Sequence, residues 1–335
     1  MVPTPTRGLD LKGLPSVTSP LRRRTLLTTA LAATAAIGLA ACDENGSGPS
    51  DAGGTSDGGG ERPLDSVSIS EDLGAEPTLE FEAPLSITAP QAEVIAEGDG
   101  DVIAEGDTII WHQMYVDASS GETLESWWQG APAGGLTVQA EALGPDAFEF
   151  FTALPVGSRF AMAGWQQGGD GQRYALIQVA DVQRVVSPLR AEGEPGEPSG
   201  DFPAVTLGED GAPSLEGAPE GEPPAETVRE VLITGNGEKT RKGDYLVMQY
   251  TGWKWSDGSQ FDSSWERGAP FSFVQGQGRV IPGWDKNLTG LPIGSQVMLV
   301  IPPADAYGED PEKNELGGET LIFVVDVLDA EPVKG

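Results

Sequence analysis

Basic residues, cysteine and histidine are the scarce components of this chain. Lys and Arg number 20 against 52 Asp and Glu, a formal charge of -32. Such a balance argues against nucleic acid as a partner, because phosphate binding needs basic patches. A single Cys, Cys42, excludes an intrachain disulfide. With a single His, His112, it also excludes a Cys/His zinc site, and no metal or cofactor is expected. One His in the whole chain leaves little room for a Ser-His-Asp or Cys-His mechanism. The longest apolar run, Leu26 to Ala41, falls short of the ~20 residues that a membrane-spanning helix requires.

That run has a different use. "PLRRRTLLTTALAATAAIGLAAC" places Arg22, Arg23 and Arg24 before the apolar stretch and small residues after it, the layout of a secretory signal peptide. "LAAC" (Leu39 to Cys42) resembles the bacterial lipobox. The resemblance implies that residues 1–42 form a lipoprotein signal peptide and that Cys42 becomes the lipid-modified first residue of the mature protein. The expected location is the extracytoplasmic face of the cell membrane. The choice between general and twin-arginine export stays open.

At 335 residues the chain is long enough for two domains. Gly (46) and Pro (27) are unevenly spread and mark connectors. Residues 43–64, rich in Gly, Ser and Asp, read as a flexible tether. Residues 188–225 read as a second, acidic Pro/Gly-rich linker with a candidate leading strand. Elsewhere "DTIIWHQMYV", "RYALIQVADVQRV", "DYLVMQYTGW" and "ETLIFVVDVL" carry the alternation of half-buried strands. The expected fold class is α+β, mainly antiparallel β, with domains over 65–187 and 226–331.

The two halves resemble each other. "AEGDTIIWHQ" (Ala104 to Gln113) matches "RKGDYLVMQY" (Arg241 to Tyr250). "GETLESWW" (Gly121 to Trp128) matches "GSQFDSSW" (Gly258 to Trp265), and "LPVGS" (Leu154 to Ser158) matches "LPIGS" (Leu291 to Ser295). All three pairs share one interval. "ALIQVADV" (Ala175 to Val182) matches "TLIFVVDV" (Thr320 to Val327) at a slightly longer one, as expected of a duplicated fold with a shortened first copy.

The second copy carries "YTG" (Tyr250 to Gly252), "DGSQFDSSWERGAPFSF" (Asp257 to Phe273), "VIPGW" (Val280 to Trp284), "LPIGSQ" and "AYG" (Ala306 to Gly308). In this order and spacing they resemble the FKBP-type peptidyl-prolyl isomerases over Val228 to Ala330. The resemblance implies a half-wrapped antiparallel sheet around one short helix. It implies a substrate pocket lined by Tyr250, Phe261, Arg267, Phe271, Val280, Ile281, Trp284 and Phe323, with Trp284 as its floor. Tyr307 would donate to a substrate carbonyl. Asp262 would either face the twisting carbonyl carbon or order the pocket, held by a bidentate Arg267. Implied partners are proline-containing polypeptide clients and a candidate macrolide inhibitor, and the expected state is a monomer. Arg279 stands where the family pattern often has Glu, and the loop Glu309 to Glu319 is acidic, with Leu316 as its only large apolar residue.

The chemistry suits such residues. Rotation about a prolyl bond is opposed by amide resonance, about 18–20 kcal/mol, and uncatalysed exchange takes tens of seconds or more. The twisted transition state is less polar than the planar amide, so an apolar aromatic cup favours it differentially without any nucleophile. The first copy has Gln113, Leu124, Glu125, Ala147 and Gln178 opposite Tyr250, Phe261, Asp262, Trp284 and Phe323, and no "AYG". It is expected to fold alike without catalysing. His112 reads as a structural or surface residue, and Trp127, Trp128 and Trp165 as core or as a binding patch. The alternative function is a non-catalytic chaperone or scaffold whose FKBP-like pockets hold client segments.

Overall fold

The computed structural model describes residues 62–334 apart from 169–170, 198 and 200–201. Cys42, the signal segment and nearly all of the 43–64 tether lie outside the described residues. The end of the tether is already structured, with Pro63 and Leu64 buried in a short 3-10 turn.

The first half begins with a hairpin, β1 (Ser68–Ile69) and β2 (Leu79–Glu80). Six strands follow: β3 (Gln91–Ala96), β4 (Thr108–Asp117), β5 (Thr123–Ser126), β6 (Gly134–Thr137), β7 (Arg159–Gln167) and β8 (Arg173–Val185). Between β6 and β7 lie α1 (Ala140–Leu143) and α2 (Pro145–Thr152). The sheet runs β3-β7-β8-β4-β5, with β6 also on β4.

The second half repeats the plan. A short β9 (Gly193–Pro195) precedes a hairpin, β10 (Val205–Leu207) and β11 (Pro213–Leu215). Then come β12 (Val228–Gly235), β13 (Tyr245–Lys254), β14 (Gln260–Ser263), β15 (Phe271–Val274), α3 (Pro282–Asn287), β16 (Gln296–Ile301) and β17 (Leu321–Glu331). Their order is β14-β13-β17-β16-β12-β9, with β15 also on β13. All pairings are antiparallel, as the alternating strand patterns predict.

The two sheets agree in register as well as order. Gly252 pairs with Asp262 and Phe323, and Tyr115 pairs with Glu125 and Gln178. Bulges fall after Tyr115 and Gly252, after Val94 and Val231, and after Ile110 and Val247. A bulge bends its strand, so each sheet curls at the same places around its helix.

The segment 188–225, expected as a linker with a candidate leading strand, is part of the second fold. Its β9 extends the sheet on β12. The β10–β11 hairpin brings Val205 and Leu215, with Phe202, onto Trp253, Trp255, Met298 and Ile322 on the outer face of the sheet. The β1–β2 hairpin does the same for the first sheet, where Val67, Ile69 and Leu79 cover Met114, Val116, Ile177 and Val179. "VSISEDLGAEPTLEF" (67–81) and "VTLGEDGAPSLEG" (205–217) are thus a fifth matched pair. Each sheet would otherwise expose an apolar back face to water, at roughly 25 cal/mol per Å² of apolar area.

Beneath these hairpins the copies differ in one buried charge. Asp181 is clasped by the fully buried Arg159, through Nε at 2.6 Å and Nη2 at 2.8 Å. At the matching place Asp326 has Gln296, whose amide donates at 2.7 Å, and the Ala191 N–H at 2.8 Å. No cation among the described residues pairs with Asp326, and burial pushes its carboxyl up to about 6. The unfolded carboxyl ionises near 3.8. Stability therefore declines as pH rises between those values, and the penalty, at most ~3 kcal/mol, is complete above the folded value. Asp326→Asn keeps an acceptor for Ala191, and a flipped Gln296 can accept from the new amide. We expect this variant to gain about 1–3 kcal/mol in denaturant melts at pH 7 and to gain nothing at pH 3.

The two halves are fastened together. Arg184 grips Asp329 through Nε and Nη2, both at 2.8 Å, and Glu331 through Nη1 at 2.5 Å. His112 stacks on Trp127 and bonds Glu331 at 2.9 Å. Trp127 in turn bonds the Pro332 carbonyl and lies under the Lys334 ammonium. Ile110, Ala133 and Val186 pack on Val247 and Leu328 beside them. His112 and Trp127 therefore serve the junction, while Trp128 packs against the first half's back-face core.

Candidate active site

The site is built on α3. Pro282 occupies the first helical position, where its missing N–H leaves nothing unsatisfied. Gly283 lets the helix lie directly on β16, since a Cβ there would stand 2.6 Å from the Ile301 side chain. The Asp285 carboxylate accepts the backbone N–H groups of Gly276 and Gly278, at 2.9 and 2.7 Å, and so ties down the loop before the helix. Together these hold Trp284 upright beneath the sheet.

Trp284 is only 4% exposed. Tyr250 and Phe323 stand edge-on to it, with ring centroids at 5.1 and 5.2 Å, and Phe271 closes a third side at 6.1 Å. Phe261 packs edge-on against Phe323 at 5.5 Å. Phe261, Phe271, Val280 and Ile281 are partly exposed and form the rim. These residues, and Leu316 from the acidic loop, belong to one cluster with Trp284. The Trp is thus a floor covered by its walls, with little open surface of its own.

A polar bridge crosses one side of the cup. The Tyr250 hydroxyl donates to Asp262 Oδ2, and Arg267 Nη1 donates to Asp262 Oδ1. Arg267 Nη2 donates to the Tyr250 hydroxyl at 2.9 Å, with the guanidinium 5.3 Å from the Tyr250 ring centroid. The expected bidentate Arg267–Asp262 pair is therefore replaced by a three-membered ring, because the tyrosine oxygen lies within reach of the fork. Burial, reinforced by Asp262, raises the Tyr250 phenol well above its usual range. Burial and then Asp262 also raise Tyr307. Tyr307 is 38% exposed, and among the described residues its hydroxyl has no partner.

One residue of the site carries no side chain. A Cβ at Gly252 would lie 2.7 Å from Phe261 Cζ and 2.9 Å from Phe323 Cε1. The two rings can pack directly against the strand backbone there because position 252 is glycine. "YTG" is visible in the sequence, but only the register pairing of Gly252 with Phe323 shows which ring its glycine lets approach.

The first half has Tyr115 at that register position, 1% exposed. Its hydroxyl donates to Gln113 Oε1 at 3.2 Å, which also receives the Trp111 indole at 2.8 Å and the Gln178 amide at 3.2 Å. The two glutamines are joined by that one bond and plug the place where the second half has a cup, while Gln178 Oε1 is buried with no partner among the described residues. Trp111 and Phe151, stacked at 6.0 Å, fill the core under α2 in place of a counterpart to Trp284. Phe148 is a partly buried neighbour of that cluster.

An aromatic cup with a protonated phenol at its rim, on a curled antiparallel sheet over a short helix, is the equipment of a prolyl isomerase. Residues 236–328 match the family model described as FKBP-type peptidyl-prolyl cis-trans isomerase. "FK506-binding protein 2" of Emericella nidulans is 47% identical over 95 residues, covering 28% of this chain and 70% of the relative. "FK506-binding protein" of Streptomyces anulatus is 39% identical over 112 residues, 33% of this chain and 90% of the relative. "Probable FK506-binding protein" of Corynebacterium glutamicum is 35% identical over 118 residues, 35% of this chain and 98% of the relative. The chain belongs to the FKBP-type peptidyl-prolyl cis-trans isomerase family and is an enzyme of that type.

Proposed function

We propose that the protein is a lipid-anchored, extracytoplasmic prolyl isomerase that assists the folding of exported polypeptides, with turnover confined to the pocket around Trp284. The observation that carries the site assignment is the Tyr250–Asp262–Arg267 bridge above an otherwise apolar cup. Both Asp262 oxygens already hold a proton donor, which favours the reading that Asp262 orders the pocket rather than facing the substrate carbonyl. The Tyr307 hydroxyl, with no partner among the described residues, is the group free to donate to a substrate oxygen. The proline ring enters over Trp284, and the rim of Phe261, Phe271, Val280 and Ile281 strips water from the amide. The prolyl bond then twists in surroundings that favour its less polar transition state.

The anchor rests on the lipobox resemblance at Cys42. Among the described residues no helix is long and apolar enough to cross a membrane. A diacyl or triacyl Cys supplies the two-chain signal that stable anchoring needs, while a chain of charge -32 gains nothing from an anionic surface. Cells producing the full chain should hold it in the membrane fraction, and Cys42→Ala should move it to the soluble or secreted fraction. A Cys42→Ala protein that stays with the membrane would remove the anchor from the account.

The relatives are named for binding FK506, and that macrolide is expected to compete for this pocket. Saturating FK506 should block turnover of a Leu-Pro peptide and change the Trp emission of the wild type. It should leave the emission of an Arg267→Ala, Tyr307→Phe double variant much less altered. The plugged first half is read as a non-catalytic copy of the same fold.

A further inference from the structure

The first half touches both loops that rim the catalytic cup. The Gln139 amide donates to the backbone carbonyls of Arg267 and Gly268, at 3.3 and 3.0 Å. On the other side, Gln277 forms one wall of a cleft of about 370 Å³ whose remaining lining comes from the first half. That lining is the stretch Thr123–Ser126 of β5 and the turn through Gln129, Gly130, Ala131 and Pro132. Gln277 lies three residues before Val280, so cleft and cup are separated by about 10 Å of chain.

Two features suit this cleft to polypeptide. First, β5 is the edge of its sheet. An edge strand directs half of its backbone donors and acceptors away from the sheet, where an extended segment can use them. Second, the cleft holds Glu125, the counterpart of Asp262. Asp262 is neutralised by its own Arg267, whereas Glu125 forms no ion pair among the described residues; burial raises its carboxyl, partly offset by the charge of Arg279 from the other half. A basic side chain from a client would complete its environment.

We propose that this cleft is a second subsite, in which the first half holds the extended stretch of client next to the target proline and prefers a basic residue opposite Glu125. This rests on the isomerase reading of the Trp284 cup, and it gives the plugged copy a use. The duplicated fold then serves to lengthen the binding surface, so that long unfolded clients bind more tightly than short peptides.

The test compares two substrates on the full chain: a Leu-Pro tetrapeptide, and a reduced, alkylated unfolded protein whose refolding is limited by prolyl isomerisation. Ala131→Trp fills the cleft without touching the cup. It should raise KM for the protein substrate about tenfold, leave kcat unchanged, and leave the tetrapeptide rate within twofold. Glu125→Lys should reverse a preference for Lys over Glu within four residues of the proline in twelve-residue peptides. An unchanged KM for the protein substrate, an equal loss on both substrates, or no reversal by Glu125→Lys would overturn the proposal. Absence of tetrapeptide turnover in the wild type would instead defeat the isomerase reading beneath it.

Discussion

Replacing Gly252, Phe261 and Phe323 together by Tyr, Leu and Gln is expected to lower kcat/KM on a Leu-Pro peptide at least a hundredfold while leaving the chain folded. Gly252 pairs with Phe323 and lies against the Phe261 ring, and the new residues are those that fill the matching positions in the first half, Tyr115, Leu124 and Gln178. A hundredfold loss is about 2.7 kcal/mol of transition-state stabilisation, which is what removing two aromatic walls beside Trp284 and wedging a side chain into their place should cost. Gly252→Ala is the milder version. Its single methyl meets two ring edges at under 3 Å, so the rings must shift, and a loss of roughly tenfold is expected. The reciprocal change, Tyr115→Gly, should cost about 3–5 kcal/mol of stability by opening a cavity and should create no activity. Ala147 and the glutamine pair still deny the first half a dry aromatic floor.

Asp262→Ala is expected to be the next most damaging change. It removes the acceptor that holds the Tyr250 hydroxyl and Arg267 together, leaving a half-buried guanidinium and a buried phenol without their common partner. The loss of one partner in such a bridge costs about 1–3 kcal/mol, and here it acts on the geometry of the cup's wall. Turnover should fall ten- to a hundredfold, with KM rising as Arg267 swings from the rim. Tyr307→Phe should cost less, about three- to tenfold, because it deletes a single neutral hydrogen bond to substrate. Since burial raises both phenols above the ordinary range near 10, both remain donors through weakly basic pH. The rate should therefore stay level between pH 7 and 9. A fall over that interval, measured on peptide exchange, would falsify the assignment of protonated Tyr250 and Tyr307.

Much of this is readable from the sequence, for identifiable reasons. Long strands with two-residue alternation declare themselves, and both sheets are found that way. The motif set from "YTG" to "AYG" places Trp284, Tyr250, Phe271 and Phe323 around one centre by its resemblance to a known family, and the structure brings the same four together. What escapes lies where side chains are small or strands short. The β10–β11 hairpin has three residues per strand and a Gly/Pro/Glu composition, so its sequence reads as linker. Only the twin over 67–81, covering the same back face of the other sheet, reveals its role. Gly252 has no side chain to attract notice, although it lets the Phe261 and Phe323 rings close on the strand. Composition suggests that the glutamines of the first half suffer for want of partners. That holds for half of the pair: Gln113 and Gln178 sit on adjacent strands two residues out of register, and Gln113 Oε1 accepts from Gln178, Trp111 and Tyr115, while Gln178 Oε1 is buried with no partner among the described residues. The junction residues Arg184, Asp329 and Glu331 are far apart in sequence, and nothing local marks them as a fastening.

The most direct test of the catalytic assignment is NMR exchange between the cis and trans forms of a Leu-Pro peptide, with a catalytic amount of the full chain. Uncatalysed interconversion takes tens of seconds or longer. Wild type and Tyr115→Gly should accelerate it alike. The triple variant Gly252→Tyr, Phe261→Leu, Phe323→Gln should leave it at the uncatalysed rate. Full acceleration by that filled-cup chain would place the active site elsewhere and contradict the account.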